Sequence, residues 1–403
     1  MKTIAGILFL AVLALAGHRR SFTHIARPGT GRFFLLTGTE FLLVGYLLGD
    51  SFLGILDAAT LDRVRPFLIL GLGWIGLLAG IQLEWKALRM FSRASYLWIL
   101  LYGCGVLLIL SAGLYALFHA WFPSDPQIGL AVAVLAVTAL CSAHASIALW
   151  MQHVGRQKRP LGLMLQFVSS VNDVIAIVLF GFLLGFYRPA EGGTGGGPLL
   201  PLENIAFSLL LGVLMGVLLL ALFRTRLGRV DKVLIVIGLV LFGGGMSYLL
   251  GISPLLVHLV AGVILANLSL SSEETFQLLV RIERPLYLIF LMIAGAYLRI
   301  GSPVVILLAL AYVGLRAFSQ GIAGGVCLGH VFRDAAYPRT RGLGLGLLSQ
   351  AGIGVALAVH FHLWIADPAS LPILDVTFSV LLLAILLNEL ISPMGLSIIT
   401  RER

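Results

Sequence analysis

Charge is what this sequence has least of. Only 11% of its 403 residues are Asp, Glu, Lys or Arg, against about 25% in an ordinary soluble domain. A soluble chain must cover itself with polar side chains, and 59% hydrophobic residues at a mean hydropathy of +1.04 leave too few to do so. Cysteine is equally scarce. Cys104, Cys141 and Cys327 are odd in number, sit in apolar stretches and show no CxxC or Cys/His spacing. That excludes a disulfide scaffold and a zinc site, and leaves packing as their role. HExxH and GxGD are absent, as is any serine–histidine pair of the intramembrane-protease kind. An enzyme is therefore not expected, and neither is a cofactor. Acids number 18 against 27 Lys and Arg, a net charge of +9. In a membrane protein that excess collects in cytoplasmic loops, so it is no nucleic-acid footprint. What remains is an all-α polytopic membrane protein whose first partner is the lipid bilayer.

A spanning helix needs about 20 mostly apolar residues. Such runs occur at 3–17, 33–49, 66–83, 95–122, 128–152, 161–187, 203–223, 233–250, 252–270, 285–299, 303–329, 342–362 and 371–395, thirteen in all. The first is short and ends in Ala14-Leu15-Ala16-Gly17, which leaves a cleaved signal peptide as the alternative to a retained helix. The charges favour retention, because Lys2 alone precedes the run while His18-Arg19-Arg20 follows it. Lys and Arg in the odd-numbered loops total nineteen, and in the even-numbered loops four. The positive-inside rule then places the N-terminus outside, with the odd loops and the C-terminus in the cytoplasm. An integral protein of a prokaryotic inner membrane is expected, with no soluble regulatory domain after the last span.

Two spans carry small and polar residues at mid-depth. Thr138-Ala-Leu-Cys-Ser142-Ala-His144-Ala-Ser146 lies in one, and Leu348-Ser349-Gln350-Ala-Gly352-Ile-Gly354 in the other. They stand seven spans apart, so they run in opposite senses, as an inverted repeat of broken helices requires. The Gly-rich loop 188–203 falls between the candidate halves.

With loop and terminal charges removed, Arg316 is the single base left at mid-membrane, and Glu40, Asp173 and Glu389 are the acids within spans. Burying an ionised side chain there costs at least about 2.5–3.5 kcal/mol, so such residues face a cavity, pair, or bind something. Asp173 stands in Ser169-Ser170-Val171-Asn172-Asp173, near the middle of its span. Its carboxyl can hold a proton, or its oxygens can replace the water shell of a small hard cation, but not both at once. That exclusion is the minimum machinery of an antiporter; a buried structural Asp is the alternative. Arg316 serves either as a fixed counter-charge, on an acid or on the carbonyls of a broken helix, or in transport directly. His144, in the first polar stretch, either exchanges protons or bonds a backbone carbonyl. For Glu389, near the cytoplasmic end of the last span, a structural ion pair is favoured over cation binding.

Further blocks complete a pattern: Gly45-Tyr-Leu-Leu-Gly49-Asp-Ser-Phe-Leu-Gly54, Pro254 to Asn267, and Ile282-Glu283-Arg284-Pro285. In order and spacing, together with Ser142 to Ala148, Val171-Asn172-Asp173-Val174-Ile175 and Leu347 to Gly352, they resemble the cation:proton antiporter superfamily over most of the chain. The resemblance implies a sodium/proton antiporter-like fold and elevator-type alternating access. Residues 95–187 and 303–395 would form the transport core, and 1–94 and about 203–300 a scaffold with a homodimer contact. It makes Asp173 the carrier of a monovalent cation (Na+, Li+ or K+) or a proton, with Asn172 its neighbour. Arg316 becomes the basic residue before the second crossing element. Ser142, Ser146, Thr138, His144, Ser349, Gln350 and Glu389 are supporting residues. The Asn-Asp form with arginine goes with electroneutral one-for-one exchange. Two positions depart from the family's pattern: Ala143-His144 stands where Thr-Asp or Thr-Ser is frequent, and Ala351-Gly352-Ile353 where potassium-type members often have Gly-Gly-Glu. A sodium-coupled solute symporter and a non-transporting sensor or partner subunit of the same fold remain the competing readings.

Overall fold

The structure, a computed structural model, describes residues 38–123, 125–153, 159–186, 200–225, 228–268, 272–331, 342–350, 352–364 and 372–401. The candidate span 3–17, Ala351 and most of the Gly-rich loop 188–203 lie outside the described residues. Every later candidate span contains helix. In chain order these are α1 (Glu40–Leu48), α2 (Ala58–Arg63), α3 (Arg65–Ile81), α4 (Trp85–Leu88), α5 (Arg93–Trp121), α6 (Ile128–Thr138), α7 (His144–His153), α8 (Arg159–Phe186) and α9 (Leu200–Phe223). There follow α10 (Arg229–Leu250), α11 (Pro254–Leu268), α12 (Ser272–Ala296), α13 (Pro303–Val331), a 3₁₀ turn (Leu343–Leu347), α14 (Ile353–Trp364) and α15 (Pro372–Arg401). Among the described residues six helices, α5, α8, α9, α10, α13 and α15, are long and apolar enough to cross a bilayer.

Two boundaries differ from the hydropathy reading. Helix α12 begins at Ser272 rather than 285, and α15 runs through Pro393 to Arg401. In α12 the added stretch, 272–284, is polar but rich in good helix formers such as Glu, Gln, Leu and Arg, so hydropathy ends before the helix does. In α15 the helix carries on past Pro393 through Leu396-Ser-Ile-Ile-Thr-Arg401. Pro285 and Pro393 lie inside these helices. Each removes one backbone donor.

The chain divides into two compact units. The first holds residues 41–87 and 177–297 of the described chain, and its packing depends on glycine. A Cβ at Gly80 would run into the Leu259 carbonyl, and one at Gly262 into that of Leu77. Helices α3 and α11 therefore touch backbone to backbone, which in a bilayer is how helices gain contact without a hydrophobic drive. Gly45 against Met292 and Gly295 against Leu42 repeat the device between α1 and α12. Trp74, Leu77, Met215, Leu219, Val240, Val257 and Leu265 fill the interior beside them.

The second unit holds residues 38–40, 88–176 and 298–401 of the described chain. Here α5 lies along α13, with Gly105 against Ala323 and Gly113 against Leu315. Gly324 meets Gly344 of the 3₁₀ turn, and Gly395 of α15 meets the Leu345 carbonyl. Cys141 is buried, whereas Cys104 is exposed on α5 and is no packing residue.

A Gly262→Val exchange is expected to overpack the α3–α11 seam, at a cost of about 1–3 kcal/mol. Thermal unfolding of the detergent-solubilised protein, followed by size-exclusion fluorescence, should show the lowered midpoint, whereas Gly238→Ala, where a Cβ meets open space, should leave it in place.

Candidate functional site

Both crossing elements are interrupted, for local reasons that can be named. In the first, the Thr138 hydroxyl donates back to the carbonyls of Val134 (2.8 Å) and Leu135 (3.0 Å), a bond that competes with the helix ladder. The backbone of 139–143 then leaves the helix, and α7 restarts at His144. In the second, the 3₁₀ turn ends at Leu347 and α14 restarts at Ile353. Between them Gly352 takes a left-handed conformation, φ 61°, which a residue with a Cβ rarely adopts.

A broken helix exposes carbonyls at the end of its first half and N–H groups at the start of its second, with negative and positive partial charge respectively. Arg316, fully buried on α13, serves the carbonyl ends of both breaks. Its Nε donates to Ala139 O (3.1 Å), one Nη to Cys141 O (2.9 Å) and Leu347 O (3.1 Å), and the other Nη to Leu348 O. The planar guanidinium suits this, because its donors point outward in a fixed fork. Gln320, one turn on, reaches Ala139 O at 3.4 Å, and Tyr312, one turn back, donates to Leu135 O at 3.2 Å. Gln350 donates to Thr138 O (2.6 Å) and to the Tyr312 hydroxyl (3.1 Å), and accepts from Asn388 Nδ2 (3.0 Å).

The N–H ends receive acids. Asp173 Oδ1 accepts from Ser142 N (3.1 Å) at the first break. Glu389 Oε1 accepts from Gln350 N (3.1 Å) and from the Ser349 hydroxyl (2.5 Å) at the second. The breaks are also joined directly. Ala143 N donates to Ser349 O (2.9 Å), the Ser142 hydroxyl donates to Leu347 O (3.1 Å), and the Ser146 and Ser349 hydroxyls lie 2.7 Å apart.

Around Asp173 the lining is polar. Its Oδ2 faces His144 Nδ1 at 3.5 Å. That ring is held by Ser170 Oγ at 2.7 Å and Ser169 Oγ at 3.2 Å, and Ser169 also donates to Ser142 O (2.9 Å). Asn172 is fully buried, yet neither atom of its amide finds a hydrogen-bond partner among the described residues. An amide in that position calls for water or an ion, because leaving it unbonded is costly. Among the described residues no group of three or more His, Cys, Asp and Glu is placed to hold a metal.

The structure thus brings together Asp173, Asn172, Ser142, His144, Ser146 and Thr138 from the first repeat with Arg316, Ser349, Gln350 and Glu389 from the second. Glu40 stands apart, in the first turn of α1. Sequence reasoning missed Tyr312 and Gln320, although their spacing of four on either side of Arg316 puts all three on one helix face. It also missed Ser169, Ser170 and Asn388 as contacts.

A family model described as sodium/hydrogen exchanger, transmembrane, matches residues 30–402. The chain belongs to the sodium/hydrogen exchanger family. As a sodium/hydrogen exchanger it is an integral membrane transporter and not an enzyme, in a family that works without a cofactor. Among solved structures it is similar to that of the sodium proton antiporter MjNhaP1 from Methanocaldococcus jannaschii at pH 8. The TM-score is 0.70 at 14% identity, over 100% of this chain and 99% of that one. An electron-microscopy map of the same antiporter gives 0.66 at 14% identity, over 98% and 96%. At this identity the likeness establishes the fold, an all-helical antiporter architecture. No curated protein sequence matches the chain.

In this exchanger the Arg316 guanidinium makes four bonds to carbonyls, each worth roughly 1.5–3 kcal/mol when the donor is charged. Arg316→Ala is expected to cost several kcal/mol and to reduce the yield of folded protein; Arg316→Lys, with one point charge for a fork, should fall between. The unfolding midpoint in detergent measures both.

Proposed function

We propose that the chain is a secondary active antiporter exchanging a monovalent cation (Na+, Li+ or K+) for protons, with Asp173 carrying one or the other. The observation that carries this reading is the buried Asp173 carboxyl. It sits midway along α8, one oxygen anchored to the first break and the other facing His144, beside the unsatisfied amide of Asn172. Carboxylate, amide and hydroxyl oxygens are the ligands a hard cation takes in place of water. A proton on Asp173 removes that charge, so the two cargoes exclude each other. Asn172 is neutral, so one proton replaces one cation and the exchange moves no net charge.

The second unit, with both breaks, acts as the moving transport core in an elevator-type cycle. The first unit, close-packed through its glycines, is the scaffold and offers the contact for a second copy. Thirteen crossings, with the N-terminus outside and the C-terminus in the cytoplasm of a prokaryotic cell membrane, follow from the loop charges.

The test is dye dequenching in proteoliposomes with Na+, K+ and Li+ in turn. Asp173→Asn keeps the volume and removes the titration, so exchange should vanish while the protein folds and inserts. In the wild type, apparent cation affinity should weaken tenfold per pH unit below the Asp173 pKa, about 1.4 kcal/mol per unit. Exchange should be indifferent to a valinomycin-clamped potential. Wild-type rates in Asp173→Asn would end the assignment.

A further inference from the structure

The two repeats carry matching acid–amide pairs, Asn172-Asp173 on α8 and Asn388-Glu389 on α15. In both, the acid accepts a backbone N–H from the break of its own repeat, Ser142 N for Asp173 and Gln350 N for Glu389, each at 3.1 Å. Asn172 and Asn388 are both buried, and each keeps an amide oxygen with no hydrogen-bond partner among the described residues. The second pair has no part in the cycle proposed above. Its acid is nevertheless as buried as Asp173, 2% exposed against 1%.

Counting charge gives Glu389 a task. Among the described residues of the second unit, the buried ionisable side chains that carry charge near neutrality are Asp173, Arg316 and Glu389. Buried Tyr102, Tyr312 and His360 add none in their neutral forms, and the part-exposed His144 and Glu40 of the same unit lie outside the buried set. Asp375, half-buried in the first turn of α15, has Arg299 nearby to balance it. Arg316 and Glu389 meet over consecutive residues of the second break: the guanidinium takes the carbonyls of Leu347 and Leu348, while the carboxylate takes the donors of Ser349 and Gln350. Two donors directed at one oxygen suit an ionised carboxylate. Carbonyls satisfy the guanidinium's donors but cannot cancel its net charge, which needs an anion.

We propose that Glu389 is the fixed counter-anion of Arg316, so that the transport core is neutral when Asp173 holds either cargo and carries one negative charge when it is empty. This inference rests on the antiport reading. A neutral core crosses the bilayer with a cation or with a proton, whereas a core bearing an uncompensated charge is held back. Obligatory coupling then comes from the charge count: the core returns only when reloaded. Removing the negative charge of Glu389 inverts the rule, leaving the empty core neutral and the loaded core positive.

Glu389→Gln tests this, since glutamine keeps an oxygen to accept from Ser349 and Gln350 while losing the charge. In valinomycin-clamped proteoliposomes, efflux of radiolabelled Na+ and internal pH are followed together. The wild type should release one Na+ per proton taken up at every potential. In Glu389→Gln, Na+ release should exceed proton uptake and respond to potential, by up to about 50-fold per 100 mV, the limit for one elementary charge. Glu389→Asp, which keeps the charge, should stay coupled and indifferent to potential. Asn388→Asp adds a charge at the neighbouring residue and serves if the glutamine variant does not fold; its exchange should depend on potential with the opposite sign. Strict one-for-one, potential-independent exchange in Glu389→Gln, or in Asn388→Asp where that stands in, overturns the counter-anion role. It leaves the antiport reading intact, which fails separately if Asp173→Asn still exchanges.

Discussion

Backbone N–H and C=O groups at membrane depth have no water to turn to, so each must find a partner within the protein. Two interrupted crossing elements place such groups at residues 138–143 and 347–352, and the second unit is organised around answering them. Arg316 reaches four carbonyls over both breaks. Without it, the ends of two half-helices would face one another with like partial charge and unfilled acceptors. Tyr312 and Gln320 extend the same face of α13 to Leu135 and Ala139. The glycines of α13, the 3₁₀ turn and α15 let these elements come near enough for the guanidinium to span the breaks.

On the opposite side of each break the requirement is reversed, and acids answer it. Asp173 and Glu389 stand where the restarting helices present N–H groups and positive partial charge. Base at the carbonyl ends and acid at the amide ends form one arrangement, repeated with inverted sense. Asp173 differs from Glu389 in its surroundings. One oxygen of Asp173 faces an imidazole held by two serines, beside a bare amide, whereas Glu389 receives two direct donors on one oxygen. A carboxylate with an open side suits a cargo; one already engaged suits a fixed charge.

Much of this is legible in the sequence because a bilayer penalises polarity. Apolar runs mark the helices, and Thr138 to Ser146 and Leu348 to Gly354 mark the breaks, since polar residues at mid-depth need a reason. Arg316 and Asp173 stand out for the same cause. Hydropathy does not see the first half of α12, where polar helix formers continue a helix beyond its apolar stretch. Nor does it see partners, because the Ser169 and Ser170 contacts with His144 depend on how two helices are rotated against each other. Cys104 is apolar in context yet exposed, as the lipid-facing side of a span can be. The kinship of Asn388-Glu389 with Asn172-Asp173 is written plainly in the chain. It stays hidden until the two breaks are superposed, since one acid is shorter than the other and the helices run in opposite senses.

The bonds that close the first break also set an order of events during synthesis. The carbonyls of Thr138, Ala139 and Cys141 await Gln350 and Arg316, which lie 212, 177 and 175 residues further along the chain. At roughly 5–20 residues per second, ribosomes need about 10–40 seconds to supply them. For that interval the first crossing element is in the membrane without the groups that hold it open. It must wait either as a continuous helix, with its ladder intact, or shielded by the insertion machinery. The hydrogen bonding of the first break is therefore completed only by the second repeat, once the last third of the chain has entered the bilayer.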